Sequence, residues 1–374
     1  VDEPEFRVVD PVLRFLRLFL PTTALAVAGI VTLLVAGHLT GPFQQITVVR
    51  AMLASKREFF QDEQVERILM AKGLQVHVTP VGSFDLAAKE DLDSYDFVFP
   101  SGQAANEQVK KRRTGKHAVP YRPFFSPVVL ATYRNYADAL VRAGVAERQA
   151  GGDLYYDLSV GELIGLIDQR KLWSDFGLDN GNRIIAQTPD PCRTYSGAVY
   201  VGFVAFASES DTPRTEDAAA ELARRIKPYF DVEGQHLEDM APKYFSPEGR
   251  TFAPVAVIYE HQFIAYQTGQ ARPDRDRVLL YPKAQHQSAP ELISFGAAGD
   301  RIGDLLMHDA ALRKRAVELG FHLLGAGGGP EEDFAAFVSG RGLSVPRTGF
   351  GDMVAYLPDG PLFDLMRKEV GGCR

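Results

Sequence analysis

Cysteine is scarce in this chain: there are two, Cys192 in mid-chain and Cys373 near the C-terminus. A disulfide framework and a structural zinc site are thereby excluded, since each needs more thiols or a Cys/His cluster at ligand spacing. A single bridge stays open in an oxidising compartment, but nothing in the sequence brings the two within bonding distance, so unpaired thiols are the simpler expectation. Histidine pairing is also missing. His77, His117, His261, His286 and His322 form no HxH or HExxH pair, and no Gly-x-Ser-x-Gly elbow occurs, so metal-dependent and serine-hydrolase chemistry lose support. No metal or cofactor is expected.

Positive charge is not in excess. The formal net charge is −7, and the one dense basic cluster, Lys110 to Arg113, contains no aromatic residue that could stack on bases. It reads as the solvated end of a helix, and no nucleic-acid partner is expected. The glycine-rich run Gly325 to Pro330 lacks the third glycine of a dinucleotide fingerprint, and Glu331, Glu332 and Asp333 follow where a pyrophosphate needs positive potential. It reads as a turn.

What is present is the composition of a folded globular protein: 374 residues, 45% hydrophobic, 10% aromatic and 24% charged, long enough for two lobes. Leu18 to Gly37 is an uncharged, mainly apolar stretch of about bilayer-spanning length. Arg7, Arg14 and Arg17 precede it, so the positive-inside rule predicts residues 1–17 in the cytoplasm, a transmembrane signal-anchor over 18–39, and the bulk of the chain outside a cell membrane crossed once. A cleavable signal peptide, with small residues at Val35 to Gly37, is the alternative.

Beyond Gly41-Pro42 the pattern becomes β-to-α. A strand over Ile46 to Met52 leads to Ser55-Lys-Arg-Glu58, which fits a capping box opening a helix that ends near Gly73. A strand over Leu74 to Thr79, the turn Val81-Gly82-Ser83, and a strand over Tyr95 to Phe99 ending in Pro100-Ser101-Gly102 continue the alternation, which predicts a parallel sheet. Phe124 to Ala131 reads as a long strand leaving this lobe. Arg183 to Gln187 reads as a short strand, with Asp190 as N-cap and Pro191 at the first position of an apolar helix reaching Ser208. Phe252 to Glu260 reads as a second long strand, the return. One lobe is then 44–128 with 257–374, and the other, 129–256, is inserted between them. The expected fold is α/β: a two-lobed clamshell, each lobe a mostly parallel sheet flanked by helices, joined by two crossing hinge strands.

These features resemble, in their order, the type II periplasmic-binding-protein fold, and within it the extracellular solute-binding proteins similar to molybdate- and sulfate-binding members. The residues carrying the resemblance are the strand before Ser55, the Val81-Gly82-Ser83 turn, Tyr95 to Phe97 with Pro100-Ser101-Gly102, Phe125-Ser126-Pro127-Val128, and Val257 to Glu260. In such families backbone N–H groups and hydroxyls at first helical turns of both lobes hold the ligand. The resemblance therefore implies Ser55, Ser83 and Ser101 in the first lobe, Ser126 at the hinge, Thr194 and Ser196 in the second lobe, and Tyr259 on the return strand. Arg193 and Lys56 would favour an anion there; Glu260 and Asp190 would oppose one, and Tyr195 and Tyr259 could stack on a sugar or cation. Each has a plainer reading: Ser55 as a cap, Ser83 and Ser101 as turn formers, Tyr259 as a core aromatic, Glu260 as the partner of a basic neighbour. The implied function is capture of a small polar solute, an oxyanion among the candidates, for an ABC-type permease or other membrane partner, with no sign of enzymatic chemistry. The competing reading is a membrane-tethered sensor or interaction ectodomain that uses the same fold without transport.

Overall fold

The structure, a computed structural model, describes residues 25–32, 46–209, 212–232, 237–284, 290–324, 330–347 and 360–373. The chain divides into two compact units, Val1–Ile46 and Thr47–Arg374. In the first, residues 25–32 are helical and exposed, with Leu25 at 74%. Among the described residues no helix is long and apolar enough to cross a membrane. The expected anchor over 18–39, and the single-pass membrane location inferred from it, are corrected accordingly; the rest of that segment, and Arg7, Arg14 and Arg17, lie outside the described residues, as do Gly325 to Gly329 and His286.

The second unit holds two five-stranded sheets, one per lobe. The first lobe's sheet has the order β2 (Leu74–Pro80), β1 (Thr47–Leu53), β3 (Phe97–Phe99), β11 (Leu292–Ser294), β4 (Val119–Tyr121). The second lobe's order is β7 (Ala146–Arg148), β8 (Tyr155–Leu158), β10 (Arg277–Pro282), β6 (Val128–Tyr133), β9 (Val255–Tyr259). Between them β5 (Phe124–Phe125) pairs with β12 (His322–Leu323). The helices that position the cleft are α1 (Glu63–Ala71), α2 (Ser83–Ala88), α3 (Gln103–Arg112), α4 (Tyr195–Glu209), α5 (Glu216–Asp231), α6 (Glu260–Gly269) and α7 (Gly360–Gly371).

The sheets are mixed rather than mostly parallel. β1 runs parallel to β2 and β3, as the β-to-α alternation requires, but β11 is antiparallel to both β3 and β4. In the second sheet only β8 and β10 are parallel. The reason is the crossing itself: β6 leaves the first lobe and β9 runs back towards it, so their pairing, from Val128 opposite Tyr259 to Thr132 opposite Val255, is antiparallel. Every residue of β6 and β9 is buried, as the uninterrupted apolar runs demand.

Four local expectations change. The long strand over 124–131 is broken at Ser126-Pro127, where proline supplies no N–H to a ladder, so β5 and β6 belong to different sheets. Ser55 caps no helix: Arg57–Phe60 forms one isolated turn, and Asp62 instead caps α1 by accepting from the Gln64 and Val65 N–H groups, 3.1 Å each. α4 begins at Tyr195, because Pro191 to Arg193 form a turn closed onto the Asp190 carbonyl by the Arg193 and Thr194 N–H groups. Residues 183–187 make isolated bridges, Leu172 with Arg183 and Gln187 with Ala256, in place of a strand.

The 257–374 segment does not belong wholly to the first lobe. β10, whose residues from Val278 to Pro282 are all buried, takes the middle of the second sheet, paired along its two edges with β6 and β8. α7 packs on α4 and α5 of the second lobe. A disulfide between Cys192 and Cys373 holds its end there, so the cysteines expected to stay free are paired.

Candidate functional site: the cleft between the lobes

The cleft opens where β1, β2 and β3 end and the chain turns towards helices, the edge at which open α/β sheets place ligands. It measures about 500 Å³, counting space open to solvent. The first lobe contributes Ser55, Arg57, Gly82, Ser83 and Ser101; the second contributes Thr194, Tyr195, Ser196, Glu238, Asp239 and Tyr259.

The first-lobe wall is a net of hydroxyls. Ser55 Oγ and Ser101 Oγ lie 2.6 Å apart, and the Ser55 N–H also donates to Ser101 Oγ at 3.3 Å. The Ser101 N–H donates to Ser83 Oγ at 3.1 Å. Three turns that follow three separate strands are thereby tied into one surface. Tyr259, from the end of β9, reaches the same net: burial pushes its phenol up to about 12, with hydrogen bonds to Ser55, Ser101 and Ser196 pulling the other way. That phenol joins the hydroxyls of both lobes.

Behind Ser55 stands a cation with no access to solvent. Lys56 is fully buried, donates from Nζ to Ser55 Oγ at 3.0 Å, and sits 4.7 Å from the centre of the Tyr259 ring and 5.9 Å from that of Phe321. Burial draws its ammonium down to about 7, and the nearby Glu58 charge opposes that. Burial raises the Glu58 carboxyl, but hydrogen bonds from His261 Nε2 and Gln262 Nε2, 3.0 Å each, and the Arg57 charge hold it below its ordinary value. His261 is lowered, burial outweighing Glu58.

The second-lobe wall carries carboxylates, each held by an arginine. Asp239 Oδ2 takes Arg57 Nη2 at 3.3 Å, while burial and then Glu58 raise its carboxyl. Glu238 pairs with Arg193, whose Nε also meets Asp85 Oδ2 at 2.8 Å. Because Asp85 and Arg57 come from the first lobe, the Arg57–Asp239 and Arg193–Asp85 pairs cross the cleft, while Glu238–Arg193 stays within the second lobe.

Backbone contacts bring the lobes closer still. The Phe84 N–H donates to the Arg193 carbonyl at 3.3 Å, and a Cβ on Gly82 would stand 2.4 Å from that oxygen. A Cβ on Gly102 would lie 1.9 Å from the buried Tyr195 ring. Glycine is needed at both positions for the lobes to meet.

Of the residues picked out from sequence, Ser55, Ser83, Ser101, Thr194, Ser196 and Tyr259 line this cleft. Arg193 stands at its edge as an interlobe ion pair. Ser126 does not line it: its hydroxyl accepts from the His261 N–H at 2.9 Å, fixing the start of α6 beside the crossing. Nor does Glu260, which is fully buried and turned to the Tyr281 hydroxyl and His322 Nε2. Its partner is a basic neighbour, as its plainer reading had it. Arg57, Glu238, Asp239 and Gln262 line the cleft and were not singled out. A signal existed for Gln262, whose Oε1 accepts from the Tyr259 N–H at 3.1 Å as a glutamine three residues past a helix start does. Among the described residues no group of three His, Cys, Asp or Glu side chains could hold a metal ion.

No family model matches the chain, and no curated protein matches it. Solved structures do. The substrate binding protein of the ABC transporter from Agrobacterium tumefaciens superposes with a TM-score of 0.54 at 12% identity, covering 90% of this chain and 96% of its own. The Tp0655 (TpPotD) lipoprotein of Treponema pallidum gives 0.48 at 14%, covering 87% and 99%. The periplasmic molybdate-binding protein of Azotobacter vinelandii gives 0.43 at 12%, covering 74% and 100%. The fold is the type II periplasmic-binding-protein fold.

Proposed function

We propose that the chain is a solute-binding protein that captures a small polar ligand in the interlobe cleft for an ABC-type transporter, and that it is not an enzyme. The observation that carries this reading is convergence: hydroxyls from three first-lobe turns, the start of α4 and the end of β9 all face one cavity. Such a surface replaces the hydration shell of a polar solute at several points at once.

Charge narrows the ligand. Lys56 donates to Ser55 Oγ, which leaves that hydroxyl's proton to be given away, to Ser101 or into the cleft. A donor-rich end backed by a buried amine that is charged below about pH 7 suits an anionic group, an oxyanion among them, while the carboxylates at the other end are already held by arginines. Ser55, Ser83, Ser101, Thr194, Ser196 and Tyr259 are the proposed contacts, with Arg193 as an edge residue.

Thermal unfolding of the chain against oxyanions, phosphate esters, amino acids, polyamines and sugars tests this. A ligand that binds only the native state adds about 2.7 kcal/mol at a hundredfold excess over its Kd, a shift of several degrees. A shift abolished by Ser83→Ala and Ser196→Ala is expected for one class of compound. No shift with any of them, in well-folded protein, overturns the reading.

A further inference from the structure

α7 lies with the second lobe, yet one of its side chains reaches the first. Arg367 is 5% exposed. Its Nη1 donates to the Cys192 carbonyl at 2.9 Å, its Nη2 meets Asp364, and its guanidinium carbon is 3.6 Å from the centre of the Phe84 ring. Phe84 follows Ser83 on α2, and Cys192 lies two residues before Thr194, so one guanidinium touches the supports of both cleft walls. The Cys192–Cys373 bridge closes the loop from α7 back to the same turn. A planar cation enclosed between a carbonyl and an aromatic face is strongly attracted to both.

We propose that Arg367 is a positioning residue for the cleft: it touches no solute but latches the first lobe's α2 to the second lobe's 190–194 turn and so favours the closed arrangement. Three features support a latch over ordinary packing. The contact spans the two lobes and adds to a smaller packing of α7 on α3 of the first, whereas most of the α7 packing lies against α4 and α5 of the second. It runs beside another crossing contact, the Phe84 N–H on the Arg193 carbonyl. And the covalent bridge fixes the helix that carries it, so opening has to break the arginine–ring contact rather than carry α7 along with the first lobe. The latch regulates the cleft proposed to bind a solute, and it rests on that reading for its biological meaning but not for its test.

The test needs no ligand. Nitroxide labels on ketone-bearing residues placed at the exposed Glu66 and Glu162, one per lobe, leave the native bridge intact, and pulsed electron resonance then reads the interlobe distance. Wild type is expected to give one short, narrow distribution. Arg367→Ala is expected to broaden it towards longer distances, with about tenfold fewer closed molecules. Phe84→Leu, which keeps an apolar side chain but removes the ring face, is expected to do the same, and it serves if the arginine variant does not fold. Arg367→Lys is expected to fall between. A lowered Tm with an unchanged distance distribution in both Arg367→Ala and Phe84→Leu marks plain packing and overturns the proposal. If the compound panel fails while the distance moves, the solute-binding reading is lost and the latch stands.

Discussion

The two walls of the cleft solve the problem of a polar surface in different ways. On the first lobe, Ser55, Ser83 and Ser101 are neutral, small and bonded to one another, each on a short turn pinned by a strand of the same sheet. On the second, Glu238 and Asp239 are charged, sit on a connection between helices, and are held by arginines, Arg57 from across the cleft and Arg193 from the neighbouring turn. A net of short hydroxyls resists rearrangement, because moving one serine leaves its neighbours unsatisfied. An interlobe ion pair near solvent resists far less, because water replaces either partner. The first wall therefore defines the shape of the site, and the second senses whether the lobes are together.

The largest test of that contrast is Lys56, the charge behind the hydroxyl wall. Its folded value, about 7, lies below the 10.5 of the free side chain, so between those limits the unfolded chain binds more protons and stability rises with pH. The burial cost is fully present below about pH 7 and fades towards pH 10.5. At 1.36 kcal/mol per pH unit this comes to roughly 4 to 5 kcal/mol. Lys56→Met is expected to be more stable than wild type by an amount of that order at pH 6.5, and the gap is expected to narrow at pH 9.5, as urea unfolding at the two pH values would show. A gap independent of pH contradicts the buried charge.

Ser101→Ala comes next. It strips a buried acceptor from the Ser55 N–H and hydroxyl, and a loss of about 1 to 3 kcal/mol in chemical denaturation is expected. Gly82→Ala attacks the meeting of the walls instead. Its Cβ collides with the Arg193 carbonyl, so the unfolding midpoint should change little while affinity for any compound found in the thermal panel falls by about tenfold, or ~1.4 kcal/mol. Smallest is Arg193→Ala. Its side chain is 46% exposed and its partners Asp85 and Glu238 are 38% and 49% exposed, so less than ~1 kcal/mol is expected, and less again at high salt. A larger loss there would mean that the second wall, not the first, holds the structure.

Legibility followed the local chemistry. Ser55, Ser83 and Ser101 could be read from sequence because each stands where an apolar strand gives way to a turn. Glu260 was misplaced for a reason equally local: adjacent residues at a strand end point to opposite faces, so a Tyr259 directed into the cleft sends Glu260 away from it, to Tyr281 and His322. Asp239 and Arg57 were out of reach. They lie 182 positions apart, and no periodicity links them.

By itself the sequence determined the first three strands, the turns that end them, the hydroxyls on those turns and the two apolar runs that become β6 and β9, because each depends on the conformational preferences of a few neighbouring residues. Only the tertiary structure decided that β10 joins the second sheet, that Cys192 meets Cys373, that Lys56 is sealed behind Ser55, and that Arg367 spans the cleft. These depend on which buried surfaces cover one another across long stretches of chain, and the free energy of covering an apolar face or pairing a buried charge belongs to the partners together.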